Sequence, residues 1–314
     1  MSRLIIATLL LCVPFFSISG DSTRGESGHF WCGERFLGNR GIDRFGIREE
    51  QAAIKGYIYV LAAALALQKN NNESNAHLFY KPERMQVIDT PESSPSGFKA
   101  ITYLIKPLET DGHDEIVIAF TGSDQWLDWK KTNFGKSRDQ YNEARNYVVK
   151  ISKFPKVIGK KIIVSGISLG GALAVHVTKD SLTKNYIKQA WAINPSPKIY
   201  AGNDIDKRIW LIYSKGEILE HIRNMKFFLL FKGMGVIGAP ENQKSMDYVL
   251  VKSNSIYAHY RWVITREVLF VADYALTNRG RDIVNTEPYE ILKKSSFRSC
   301  KNPIVMSETI DVQS

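Results

Sequence analysis

Ser168 stands at the centre of Gly166-Ile167-Ser168-Leu169-Gly170, a G-x-S-x-G pattern. A serine hydroxyl becomes a useful nucleophile only when a base removes its proton, and the base must itself be held by an acid. Glycines two residues to either side let the chain turn so tightly that the serine is lifted out on a strained backbone, between a strand and a helix. The helix N-terminus beneath it favours developing negative charge. A bare pattern of this kind arises by chance in roughly one chain in ten of this length, the competing reading being a plain Gly/Ser-rich turn. Its flanks therefore decide. Ile162, Ile163 and Val164 form a β-branched run suited to a strand buried on both faces, and a helix-forming run follows over residues 173–179.

An acid and a base are expected at strand ends after the serine. Residues 208–213 read as a strand, and Ser214-Lys215-Gly216-Glu217 is the turn at its end, so Glu217 is the candidate acid, with Glu220 as the fallback. Asp204 and Asp206 precede that strand and belong to the wrong end of the sheet. Three histidines follow Ser168. His176 lies on the helix after the turn and cannot reach back to its start. His221 is close to Glu217 but begins a predicted helix. His259 sits at a loop-to-helix junction after the strand-like residues 247–251, and is the candidate base. Acyl transfer also needs donors for an oxyanion. The amide of Leu169 is one, and Ser123, in the turn Ala119-Phe120-Thr121-Gly122-Ser123, offers the second with its amide and its hydroxyl.

These residues require elements to position them. Residues 48–68 read as a helix whose second half is apolar all round, a buried packing helix too short to span a bilayer. Residues 91–97, P-E-S-S-P-S-G, form a loop. Residues 98–105 and 115–120 read as adjacent strands, 137–154 as a helix, 189–194 and 208–213 as strands, and 260–276 as a long helix. Strands separated by helices imply a mostly parallel sheet covered on both faces.

The run I-V-I-A-F-T-G-S-D-Q-W-L-D-W-K-K-T-N-F from Ile116 resembles the F-R-G-[TS]…D-W…N signature of class 3, fungal-type lipases, and S-G-I-S-L-G-G-A-L-A from Ser165 resembles their G-H-S-L-G-G-A-L-A. Trp191-Ala192-Ile193-Asn194-Pro195-Ser196-Pro197 is loosely similar to their F-G-x-P. The resemblance covers about half of the chain, residues 98–262. It implies an α/β-hydrolase-like fold, with Ser168, Glu217 and His259 as a catalytic set and Ser123 with Leu169 as the oxyanion hole. It departs at Thr121, where the family has arginine, at Ile167, where it has histidine, and at Glu217, where it has aspartate.

The 314 residues are 44% hydrophobic and 24% charged, enough for a single α/β domain. Arg3, an apolar stretch over residues 4–16 and the small residues Ser17 and Ser19 read as a signal peptide over residues 1–19 for a secreted or periplasmic chain. An uncleaved anchor is the alternative, though the stretch is shorter than the roughly 18 residues a span needs. Residues 20–314 are left as one domain with terminal extensions. Cys32 and Cys300 then remain, either paired across the two ends or as two thiols. Asn72-Glu73-Ser74 is a glycosylation acceptor in a host that glycosylates. The net charge of +10 comes from scattered basic residues, Lys130-Lys131, Lys160-Lys161 and Lys207-Arg208 among the denser pairs. Without a basic tract interleaved with aromatics, nucleic acid is not an expected partner. Attraction to an anionic membrane surface and a merely solvated surface are the two readings of that charge.

Residues 224–244, with Phe227, Phe228 and Phe231, read either as a flap over an acyl pocket or as buried core. The expected activity is a secreted serine hydrolase of lipid esters that needs no cofactor or metal. A non-catalytic lipid-binding relative and an acyltransferase using the same acyl-enzyme are the alternatives. The choice between triglyceride and phospholipid is not legible, nor is the oligomeric state.

Overall fold

Alternation of strand-forming and helix-forming stretches builds one sheet that carries the rest of the chain. The computed structural model describes residues 46–68, 77–92, 94–122, 137–202, 204–214, 216–217, 219, 246–247, 257–277 and 286–297. In chain order the elements are α1 (Ile47–Ala66), β1 (His77–Leu78), β2 (Met85–Asp89), β3 (Ala100–Ile105), β4 (Glu115–Phe120), α2 (Ser137–Ser152), β5 (Ile162–Ile167) and α3 (Leu169–Lys179). They continue with β6 (Ile187–Ile193), β7 (Ile209–Tyr213), β8 (Met246–Asp247), a short 3-10 turn (Tyr257–His259), α4 (Arg261–Leu276), α5 (Glu287–Lys294) and β9 (Ser296–Phe297).

Strands β2 to β8 lie side by side in chain order in one 7-stranded sheet, and β1 with β9 forms a separate small ribbon. The first two junctions, β2 with β3 and β3 with β4, are antiparallel. From β4 to β8 every junction is parallel. The carboxyl ends of five neighbouring strands therefore share one edge, the edge where open α/β sheets place their sites.

Both faces of the sheet are covered, and the side-chain alternation of the strands sorts residues between them. Val117, Ala119, Ile163, Ile167 and Trp191 pack with α1 and α4. Ile116, Ile118, Phe120, Ile162 and Val164 pack with α2 and α3 on the other side. The fold is thus α/β and α/β-hydrolase-like, a mostly parallel sheet between helical layers. Helix α1 earns its burial through small residues: a Cβ on Gly56 would fall 2.2 Å from the Trp191 ring. The Ser165 hydroxyl donates to the Tyr59 carbonyl at 2.7 Å, pinning the same helix to the middle of β5.

The structure differs from the sequence reading in several elements. Helix α3 begins at Leu169 rather than at residue 173, because Gly170 and Gly171, poor helix formers, are held helical by close packing. Strand β2 was not expected; it is an edge strand with Gln86 and Val87 exposed, so its apolar signal is weak. Helix α5 was also unexpected. Thr286 caps it, accepting from the Tyr289 amide at 3.3 Å, and Arg84 ties it to the loop before β2 through two bonds to Glu287 of 2.6 and 2.9 Å. The leader, Cys32, Cys300, Asn72, Ser123, Glu220, His221 and residues 224–244 lie outside the described residues, and of 247–251 only Asp247 lies within them. Among the described residues no helix is long and apolar enough to cross a membrane.

Candidate active site

Strand β5 ends at Ile167 and α3 begins at Leu169, so a single residue, Ser168, makes the whole turn. Its backbone sits at φ 57°, ψ −119°, a left-handed conformation costly for a residue with a Cβ. Such strain persists only when the surroundings enforce it, and three glycines do so here. A Cβ on Gly166 would lie 2.2 Å from the Gly170 backbone, one on Gly170 2.3 Å from the Phe120 carbonyl oxygen, and one on Gly122 2.6 Å from the Ile167 oxygen. The end of β4 is thereby pressed against the turn. The Ser168 amide donates to the Ile193 oxygen at 2.9 Å, and its carbonyl accepts from Ser196 at 3.0 Å, so β6 grips it from the other side. The side chain of Ser168 does not cap its own helix. The Leu169 amide, first in α3, has no intrahelical acceptor and stands beside it.

The acid and the base meet. Glu217 Oε2 lies 2.7 Å from His259 Nδ1. A carboxylate can only accept, so Nδ1 carries the proton and donates, which leaves Nε2 with the lone pair that a base needs. Glu217 is completely buried and also accepts from the Leu219 amide at 2.9 Å. The turn around it is tight: Gly216 has φ 76° and the Glu217 amide donates to the Ser214 oxygen at 3.1 Å. His259 ends the 3-10 turn before α4, its side chain 15% exposed.

Asn194 connects these parts, and sequence reasoning missed it. It follows β6 with φ 41°, a conformation that asparagine tolerates better than most residues. Its side-chain oxygen accepts from the Ser214 amide at 3.0 Å, and its side-chain nitrogen donates to the Ala258 oxygen at 3.3 Å. One buried side chain thus holds the loop of the acid and the loop of the base to the strand that grips Ser168. An asparagine at a strand end before proline was the only available signal. Glu267 was missed as well: it is buried on α4 and accepts from the Ser214 hydroxyl at 3.4 Å.

The residues set aside are accounted for. His176 is buried on α3 and its Nδ1 lies 3.1 Å from both the Ile199 and Tyr200 oxygens. Burial lowers its pKa below the ordinary value, against the opposing pull of Asp180. Asp204 and Asp206 precede β7 at the opposite edge, and Asp206 is 2.6 Å from Arg208. Thr121, at the family's arginine position, donates its hydroxyl to the Lys99 oxygen at 3.1 Å, and Ile167 is buried in the core with α1. Among the described residues no cluster of His, Cys, Asp and Glu is placed to hold a metal ion.

Comparison with family models and with curated protein sequences finds no match. Solved structures similar to this chain include the lipase propeptide complex of Rhizomucor miehei, 16% identical over 71% of this chain and 84% of that one, with a TM-score of 0.46. A lipase of Yarrowia lipolytica is 12% identical over 70% and 95% of the two chains, with a TM-score of 0.42. A triacylglycerol lipase of Penicillium expansum is 10% identical over 70% and 96%, with a TM-score of 0.43. These three structures are lipases, and at TM-scores of 0.42 to 0.46 the likeness carries no argument about what the site does.

Proposed function

We propose that this chain is a secreted serine hydrolase of lipid carboxylic esters, acting through an acyl-enzyme, with Ser168 as nucleophile, His259 as base and Glu217 as the acid that orients it. The observation that carries the reading is the 2.7 Å contact between Glu217 and His259, held by Asn194 against the strand that positions Ser168. A buried carboxylate on one imidazole nitrogen fixes the tautomer that presents the other nitrogen as the base.

The reaction then runs in two halves. His259 Nε2 accepts the Ser168 proton as Oγ bonds to the ester carbonyl carbon, and the oxyanion is received by the Leu169 amide and by Ser123. Collapse breaks the bond to the alcohol, which leaves with the proton from His259. Water repeats the sequence on the acyl-enzyme and releases the fatty acid. The hydrogen bond from Ser168 to His259 Nε2 is the contact this reading requires in the substrate complex. Residues 1–19 are the leader of this reading, and residues 20–314 form the mature domain.

A panel of triglycerides, phospholipids and short-chain esters, run with the wild-type chain and with Ser168→Ala, tests it. Release of fatty acid from at least one lipid, lost in the variant, is expected. Activity that survives the substitution overturns the mechanism, and no hydrolysis by the wild type overturns the activity.

A further inference from the structure

The edge of the sheet opposite the site carries a feature that hydrolysis does not use. Three stretches lead into the amino ends of neighbouring parallel strands: 153–161 before β5, 180–186 before β6 and 204–208 before β7. They are sewn together. The Ile162 amide donates to the Tyr186 oxygen at 2.7 Å, Arg208 donates to the Lys184 oxygen at 2.6 Å, and Lys179, at the end of α3, donates to the Asp204 oxygen at 2.5 Å.

Each stretch raises one aliphatic side chain into solvent: Ile158 is 66% exposed, Leu182 61% and Ile205 59%. Isolated exposed aliphatics are ordinary, but these stand on adjacent loops among lysines. Lys153, Lys156, Lys160 and Lys161 are exposed around Ile158, Lys184 beside Leu182, and Lys207 beside Ile205, while the neighbouring Lys188 is paired with Glu115 at 3.2 Å. Within the three stretches Asp204 is the single exposed carboxylate. Asp180 and Asp206 are turned inward onto Arg145 at 3.6 Å and Arg208 at 2.6 Å. The acidic turn between β3 and β4, with Glu109, Asp111 and Asp114 exposed, borders the patch on one side.

We infer that this pole docks on an anionic lipid bilayer, Ile158, Leu182 and Ile205 entering the headgroup layer while the surrounding lysines meet lipid phosphates. Charge and shape choose the occupant. A second copy of a chain with net charge +10 is repelled from a lysine pole. The exposed tips are three aliphatics and a single tyrosine, Tyr186 at 36% exposure, so the patch lacks the succession of aromatic faces on which nucleic-acid bases stack. Lysines around shallow apolar tips combine the two attractions that hold a protein at such a surface.

The geometry has a consequence for orientation. Strand β5 has 6 residues and ends at Ser168's turn, so the docking pole and the serine are about 20 Å apart on opposite edges. A chain held by this pole turns its catalytic mouth away from the bilayer it rests on. It then acts on esters presented from the other side. The docking itself goes beyond the hydrolase reading and does not depend on it; only the orientation of the mouth rests on that reading.

The test is flotation of the purified chain, and of Ser168→Ala, with phosphatidylcholine vesicles and with vesicles containing about 30% phosphatidylglycerol. Binding to the anionic vesicles alone, weakened by salt and unchanged in Ser168→Ala, is expected. Neutralising Lys153, Lys156 and Lys160 together to alanine should weaken it about fivefold per lysine, and Ile158→Asp with Leu182→Asp at least about tenfold. Far-UV circular dichroism and unchanged thermal unfolding show that each variant is folded. Equal binding to both vesicle types, binding indifferent to these substitutions, or preference for DNA or heparin over the anionic vesicles overturns the proposal. Loss of ester hydrolysis with intact vesicle binding would sink the catalytic reading alone.

Discussion

A carboxylate removed from water must be compensated, and Glu217 is compensated by the Leu219 amide and by the His259 ring. Its work in the proposed reaction is to keep the imidazole in one tautomer. Glu217→Gln preserves the shape and loses that control, so ester hydrolysis should fall about 10³ to 10⁴-fold with unfolding stability little changed. Steady-state kinetics beside a denaturant titration checks this, and Glu220→Gln, the fallback acid, should leave the rate within about twofold. His176 is a residue of the opposite kind, buried for packing. Burial lowers its pKa from near 6.5, Asp180 and the carbonyls of Ile199 and Tyr200 pull upward, and Arg145 adds to the lowering. The unfolded chain therefore takes up a proton on this ring before the folded chain does. Its contribution to stability is complete above about pH 6.5 and is lost as the pH falls toward the lower folded value. Thermal unfolding between pH 7.5 and 5.5 should drop less steeply in His176→Gln than in the wild type.

At the scale of elements, the site depends on how closely three strand ends approach. The Phe120 oxygen occupies the space that a side chain at Gly170 would need, at 2.3 Å. Gly170→Ala should cost about 1 to 3 kcal/mol in a chemical denaturation and reduce activity further by shifting the turn. Asn194 joins β6 to both neighbouring loops, and Asn194→Ala leaves the Ser214 amide without its acceptor, at about 1 kcal/mol per lost bond. Because this loosens both the acid and the base loops, kcat should fall about tenfold while KM for a soluble ester changes little. Asn194→Asp keeps an acceptor for Ser214 and should recover part of the rate. The strand, turn and helix around Ser168 were legible because β-branched runs and spaced glycines are local signals. Glu217 was singled out from its place after β7 and His259 from chain order, and the structure brings the two side chains to 2.7 Å. Asn194 was not legible, because its meaning lies in two bonds to residues 20 and 64 positions away. Edge strand β2 escaped because half of it faces solvent.

The whole molecule separates two kinds of surface with one sheet. Parallel strands bring their carboxyl ends, and with them Ser168, Glu217 and His259, to one edge, while the amino ends collect lysines scattered through the sequence. Lys160-Lys161 and Lys207-Arg208 read as unrelated pairs along the chain; only the order of β5, β6 and β7 brings their loops together. The fold class was readable from alternation alone, whereas the charged pole required the topology. The proposed chemistry requires Ser168 to be an activated nucleophile. Its most direct measurement is treatment of the intact chain with a fluorophosphonate, followed by intact mass and peptide mapping. The account predicts one adduct per chain on Ser168, slowed at least a hundredfold in Glu217→Gln and absent in Ser168→Ala. No adduct on the wild-type chain, or an adduct that persists in Ser168→Ala, would contradict it.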